Sequence, residues 1–253
     1  MMKGFSKPGV FLGAGDDYSA SKAIIFGAPM DYTVSYRPGS RFAPERIRSA
    51  SLLLEEYSPY FNKSLDEISY FDAGDLLLPF GNVRKSLAII HAAASKFFKD
   101  NKFPLMLGGE HLVSLPVIQA AQEAFCGLKL IQFDAHADLR RDYLGEADSH
   151  ATVIRKAAEL IGGKNVFQLG IRSGTKEEFA YADANTNLFF NQIGKALDSV
   201  VSMCGNDPVY VTLDIDVLDP AFAPGTGTPD AGGATVNEII NAFKILAGLN
   251  IIG

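Results

Sequence analysis

Apolar and polar positions along the chain alternate between two periods. Six short runs are dense in apolar residues, many of them β-branched or aromatic: KAIIFGAP (22–29), ISYFDAG (68–74), FPLMLGG (103–109), LKLIQFD (128–134), NVFQLGI (165–171) and PVYVTLDID (208–216). Each is bounded by turn chemistry, which predicts strands. Between them, APERIRSASLLLE (43–55), VRKSLAIIHAAASKFFKD (83–100), LPVIQAAQEAF (115–125), ATVIRKAAELIG (151–162), NQIGKALDSVVSMCG (191–205) and TVNEIINAFKILAG (235–248) repeat their apolar residues near the 3.6 period, which predicts helices. Strands that are apolar on both faces and separated by helices imply a parallel sheet covered on both sides. No linker, repeat or low-complexity block divides the 253 residues, so a single α/β domain over 1–253 is expected.

Composition narrows the class of partner. With 47% hydrophobic and 21% charged residues the chain can bury a large core. No apolar run approaches the roughly 18 residues of a membrane span, and the opening MMKGFSKPGVFLGAGDD lacks an apolar stretch followed by a cleavage site. A soluble, cytoplasmic protein is the expectation. The net charge of -6, with no basic run, argues against nucleic acid or an anionic membrane as partner and suits a cationic substrate. Cys126 and Cys204 lie far apart and form no CxxC pair, so they read as buried or incidental thiols.

Candidate chemistry falls at strand ends, where ligands of parallel sheets gather. LMLGGEH places Glu110 and His111 after one strand, KLIQFDAHAD places Asp134, His136 and Asp138 after the next, and VYVTLDIDVLDP places Asp214 and Asp216 after a third. Alone, an Asp at a strand end caps a turn and a His after Gly-Gly is structural. Together they carry a different meaning. In extended backbone, the i, i+2, i+4 spacing leans Asp134, His136 and Asp138 to one side, and Asp214 with Asp216 repeats the arrangement. Four clustered carboxylates repel one another and lose hydration unless cations neutralise them. Four carboxylates and two imidazoles, without a thiolate, form a harder set than structural zinc sites use, and Mn²⁺ fits it best. Two such ions, about 3.5 to 4 Å apart, would hold a bridging water and lower its pKa, which implies hydrolysis.

GGEHLVS (108–114), FDAHADLR (133–140), SHATVIR (149–155) and LDIDVLDPAFAPGTGTPDAGG (213–233) resemble, in order and spacing, the signatures of the ureohydrolases, the arginase and agmatinase family of binuclear manganese enzymes. SYRPGSRFAPERIR (35–48) is similar to the agmatinase branch, where RPGxRxxPxxIR is common. The resemblance implies a three-layer α/β/α arginase fold with a central parallel sheet. It implies two Mn²⁺ per subunit, one held by His111, Asp134, Asp138 and Asp214, the other by Asp134, His136, Asp214 and Asp216, with Asp134 and Asp214 bridging. A bridging hydroxide would attack the guanidinium carbon of a small cationic guanidino substrate, releasing urea and an amine, which for agmatine is putrescine. His150 matches the family histidine that relays protons or orients substrate, although Ala151 follows it where glycine is frequent. Asp138 and His150 are the implied catalytic residues, with Thr228 and His150 on the substrate. Glu110 is placed to orient a ligand, and Asp148 and Tyr143 lie in the loop that meets the substrate's far end. His91, at helical spacing, reads as structural. Homo-oligomerisation, as a trimer or hexamer, is implied by the resemblance alone.

One departure stands out. The family continues with a final buried strand of pattern D-x-x-E-x-x-P, whose Glu grips the guanidinium, and then a terminal helix; here the sequence stops at LAGLNIIG. The expectation is a truncation, because an end inside a core strand would uncover apolar helix flanks and a sheet edge. Only if the chain were complete as it stands would metal binding with poor agmatine hydrolysis be expected. Guanidinobutyrase, formimidoylglutamase and arginase activities remain alternatives, as does a weakly active metal-binding partner subunit.

Overall fold

A computed structural model describes residues 2–253. All six expected strands and all six expected helices form, with several short elements added. The chain forms two compact units, the first comprising residues up to Tyr32 and Pro38–Ala120, the second Thr33–Arg37 and Ala121–Gly253.

In the first unit, β1 (Phe5–Ser6), β2 (Ala23–Ala28), α1 (Ala43–Ser51), a small hairpin of β3 (Tyr57–Ser58) with β4 (Lys63–Ser64), β5 (Tyr70–Leu76), α2 (Val83–Lys99) and β6 (Phe103–Gly108) follow in order. The sheet runs β1-β5-β2-β6, with only β1 antiparallel. Helix α1 stops at Ser51, short of the predicted Glu55: the Ser51 hydroxyl turns to the Arg48 carbonyl at 2.7 Å, and the chain turns through Leu52–Leu54, all exposed. Arg48 itself is buried. Its guanidinium donates to Asp72 from Nε and Nη2, at 2.7 and 3.0 Å, and to Asp75 from Nη1 at 2.5 Å.

Strand β6 ends at Gly108, and Gly109 leads to Glu110 and His111, both buried. A glycine is required at 109, where φ is +45° and an added Cβ would lie 2.5 Å from the carbonyl oxygens of Ala28 and Met30. The Glu110 N–H then donates to the Met30 carbonyl at 2.7 Å. Helix α3 (Ser114–Ala124) leads out of this unit.

The second unit carries β7 (Lys129–Phe133), α4 (Val153–Ile161), β8 (Val166–Leu169), α5 (Lys176–Asn185), β9 (Asn187–Phe189), α6 (Gly194–Cys204), β10 (Pro208–Leu213), α7 (Val236–Leu246) and β11 (Asn250–Ile251). Its sheet is parallel throughout, in the order β11-β10-β7-β8-β9. Ile131, Phe133, Phe167, Leu169 and Val209 from the strands form a core with Leu197 and Val200 of α6 and Ile239, Ala242 and Leu246 of α7. Cys204 lies in this core, and burial pushes its thiol up to about 11, so it is an inert packing residue; Cys126 is exposed. No helix among the described residues is long and apolar enough to cross a membrane.

Candidate metal centre

The second unit concentrates its carboxylates where β7 and β10 end side by side. Pairing runs from Val209 opposite Lys129 to Leu213 opposite Phe133, and the Asp214 N–H extends the ladder by donating to the Phe133 carbonyl at 2.8 Å. Asp134 and Asp214 therefore leave the sheet as neighbours. Beyond them the backbone does not stay extended as the i, i+2, i+4 spacing suggested. Ile215–Val217 form a 3-10 turn that the Asp214 side chain caps, accepting the Asp216 N–H at 3.1 Å. Asp138 adopts φ +52°, a left-handed conformation that aspartate tolerates, and its carbonyl accepts the N–H groups of Ile154 and Arg155 at the start of α4, each at 3.1 Å. Side chains thus converge through turns rather than by strand alternation.

Asp134, His136 and Asp216 each offer a ligand atom within 4.8 Å of the others, and Asp138 offers one within that distance of Asp134. His136 Nδ1 lies 3.0 Å from Asp216 Oδ2 and 3.6 Å from Asp134 Oδ1. The two aspartates are buried, and backbone donors fix them: Asp134 Oδ1 accepts the His136 N–H at 2.7 Å and Asp216 Oδ1 the Ala135 N–H at 3.1 Å. Burial pushes Asp216 up to about 6, the negative charge of Asp134 adds to the shift, and His136 opposes it. For His136, burial works against the charged form, but hydrogen bonds to Asp134 and Asp216 outweigh it and raise the imidazole to about 11. A pair of buried carboxylates that draws a proton onto the imidazole between them is a site short of positive charge. Hard oxygen donors with one imidazole nitrogen and no thiolate fit a divalent metal cation.

The remaining expected residues fall as follows. Thr228 donates to Asp216 Oδ2 at 3.3 Å, tying the 213–233 loop to the cluster. Arg172, from the loop after β8, fixes the same loop by donating to the carbonyls of Asp216, Val217, Asp230 and Ala231. His150 opens a 3-10 turn before α4; its Nε2 lies 3.2 Å from Ser35 Oγ, its Nδ1 3.3 Å from Ser149 Oγ, and its N–H donates to Thr33 Oγ1 at 3.0 Å. Tyr143 packs edge-on against the His150 ring at 5.5 Å, and Asp148 pairs with Lys156. His111 and Glu110 sit at the end of β6 in the first unit, and His91 lies on α2.

Sequence reasoning missed Ser35, Thr33, Arg172 and two buried glutamines, Gln132 and Gln168. It also missed α5, whose signal was present: Thr175 and Glu178 form a capping box, and buried Glu178 additionally accepts the Leu139 N–H just past Asp138, at 3.0 Å.

A family model described as the arginase family matches residues 21–253. An agmatinase of Halalkalibacterium halodurans is 53% identical over 247 residues, which cover 96% of this chain and 86% of that protein. An agmatinase of Bacillus subtilis is 53% identical over 239 residues, covering 94% and 82%. Among solved structures, a candidate agmatinase from Clostridium difficile is 41% identical and superposes with a TM-score of 0.91 over 94% of this chain and 87% of that one.

Proposed function

This chain belongs to the arginase family, has the arginase-like α/β fold and is a hydrolase of guanidino compounds; from that premise we propose that it is an agmatinase, converting agmatine to putrescine and urea with two Mn²⁺ per subunit. The observation that carries the reading is the Asp134–His136–Asp216 cluster at the carboxyl ends of adjacent strands. Asp134, His136, Asp138, Asp214 and Asp216 would hold the metal, and the family resemblance adds His111 to the ligand set. When bound, the ions supply Lewis acidity and make water a nucleophile near neutral pH.

The protein's own residues do the rest. Asp216 and Thr228 are hydrogen-bonded to each other, so the loop that would lie over the substrate is set by the same carboxylate that serves the metal centre. His150 has a hydroxyl partner at each ring nitrogen, which orients the imidazole to hold a proton and deliver it to the departing amine nitrogen. The net negative charge favours a cationic substrate. A homo-oligomeric, cytoplasmic enzyme completes the proposal.

The direct test incubates the protein with Mn²⁺ and agmatine, arginine, guanidinobutyrate or formimidoylglutamate, and measures urea or formamide. Agmatine should give the fastest release; equal or faster turnover of another substrate would overturn the assignment.

Proton linkage gives a second test. Asp134 and Asp216 raise the metal-free His136 imidazole well above its ordinary range, whereas a metal ligand must be neutral, so loading displaces its proton. Loading of the ion that His136 holds should release about one proton per subunit, and its apparent affinity should rise up to about tenfold per unit between pH 7 and pH 9. Calorimetry in two buffers of different ionisation enthalpy reads the release directly, and an identical binding heat in both would contradict it.

A further inference from the structure

Two glutamines stand where the strand pattern asks for apolar residues. Gln132 of β7 and Gln168 of β8 are directly opposed in the parallel pairing, and both are completely buried. A buried primary amide is costly unless its polar atoms are bonded, and these are. Gln132 Nε2 donates to Asp134 Oδ2 at 2.8 Å and to the His136 carbonyl at 3.1 Å. Gln132 Oε1 accepts from Gln168 Nε2 at 2.7 Å, and that nitrogen also donates to the Ala137 carbonyl at 2.9 Å. Gln168 Oε1 accepts from the hydroxyl of buried Thr186, the residue that closes α5, at 2.8 Å.

Both amide orientations are determined. The carbonyls of His136 and Ala137 only accept, so each NH₂ must face its carbonyl, and each amide oxygen must face the next donor in the row. The row therefore runs one way, from Thr186 through Gln168 and Gln132 to Asp134. With Oδ1 of Asp134 on the His136 N–H and Oδ2 on Gln132, the carboxylate plane is fixed from behind. Leucines would fill the sheet interior at lower cost, but could hold neither that plane nor the two loop carbonyls.

We infer that Gln132 is a positioning residue of the metal centre, presenting the Asp134 carboxylate to the ion, and that Gln168 and Thr186 fix the Gln132 amide. The inference rests on the metal-centre reading above. Partners behind a metal ligand typically contribute about 10- to 100-fold in metal affinity, and an organised row should show an effect that fades with distance.

The test uses the full chain, stripped of metal and titrated with Mn²⁺ alone, followed by calorimetry and by the Mn²⁺ EPR spectrum. The volume-conserving variant Gln132→Met should bind Mn²⁺ about 10- to 100-fold more weakly and with an altered EPR spectrum, Gln168→Met should show a smaller loss, and Thr186→Val the smallest. The Mn²⁺ concentration giving half-maximal activity should rise in the same order while KM for agmatine stays constant. A structural role alone would lower Tm and leave Mn²⁺ affinity and the EPR spectrum of the folded protein unchanged. Affinity within twofold of the unsubstituted protein for Gln132→Met overturns the inference. Should that variant fail to fold, unchanged affinity in both Gln168→Met and Thr186→Val overturns it instead. Absence of Mn²⁺ binding by the unsubstituted protein would refute the metal-centre reading itself, a result distinct from unchanged affinity in the variants.

Discussion

Asp134→Asn should abolish tight Mn²⁺ binding and lower agmatine hydrolysis about a thousandfold, equivalent to roughly 4 kcal/mol of transition-state stabilisation. The substitution is nearly isosteric and sits at a position 1% exposed, so its effect is chemical rather than a matter of packing. The asparagine amide keeps one acceptor oxygen, yet both aspartate oxygens now accept: Oδ1 from the His136 N–H and Oδ2 from Gln132. One of those donors would face an NH₂ group, which favours rotation of the side chain away from the ligand position. The lost charge matters as well. Asp134 helps hold the proton on His136 and helps raise Asp216, so in the variant the imidazole titrates lower and Asp216 ionises more readily. Elemental analysis and calorimetry measure the metal, and circular dichroism confirms the fold. Two ions retained per subunit would refute the proposal that Asp134 serves both.

How far this site could be read from sequence differs from residue to residue. GGEH, DAHAD and LDID were legible because each follows an apolar strand run and concentrates groups that resist burial, which is a local signal. Their geometry was not. Alternation along an extended chain was the simplest way to align Asp134, His136 and Asp138, but β7 ends at Phe133 and a left-handed Asp138 replaces the last step. Gln132 and Gln168 were hidden inside runs that looked apolar, since a pattern reports the period of a strand and not the partner across it. Arg48 was legible only as the end of the motif shared with the agmatinase branch; its partners lie 24 and 27 residues away, Asp72 inside a run that reads as a strand and Asp75 just past it. Helix α5 escaped because KEEFAYADAN has little amphipathic period, and its capping box was the only cue.

That same arginine should dominate the stability of the first unit. Arg48→Met is expected to cost about 3–5 kcal/mol at pH 7, because the variant keeps two buried carboxylates and removes the cation that compensates them. Asp72 accepts not only from Arg48 but from the N–H groups of Phe11, at 2.8 Å, and Gly74, at 2.9 Å, so it cannot readily swing out to water. Burial already raises Asp75, and Arg48 is what opposes the shift. Without Arg48 that pKa rises further. A carboxylate whose folded pKa lies above its unfolded value, near ~3.9, destabilises the protein while ionised and recovers as pH falls through the folded pKa. The deficit of the variant, measured by urea unfolding against the unsubstituted protein, should therefore shrink between pH 7 and pH 4.5. Arg48→Lys should recover only part of the loss, since an ammonium cannot reproduce the guanidinium fork that spans both aspartates. Adding Asp72→Asn and Asp75→Asn to Arg48→Met should restore more than Arg48→Lys does if uncompensated charge is the cause. If the triple variant is no more stable than Arg48→Met, lost packing of the arginine stem accounts for the effect.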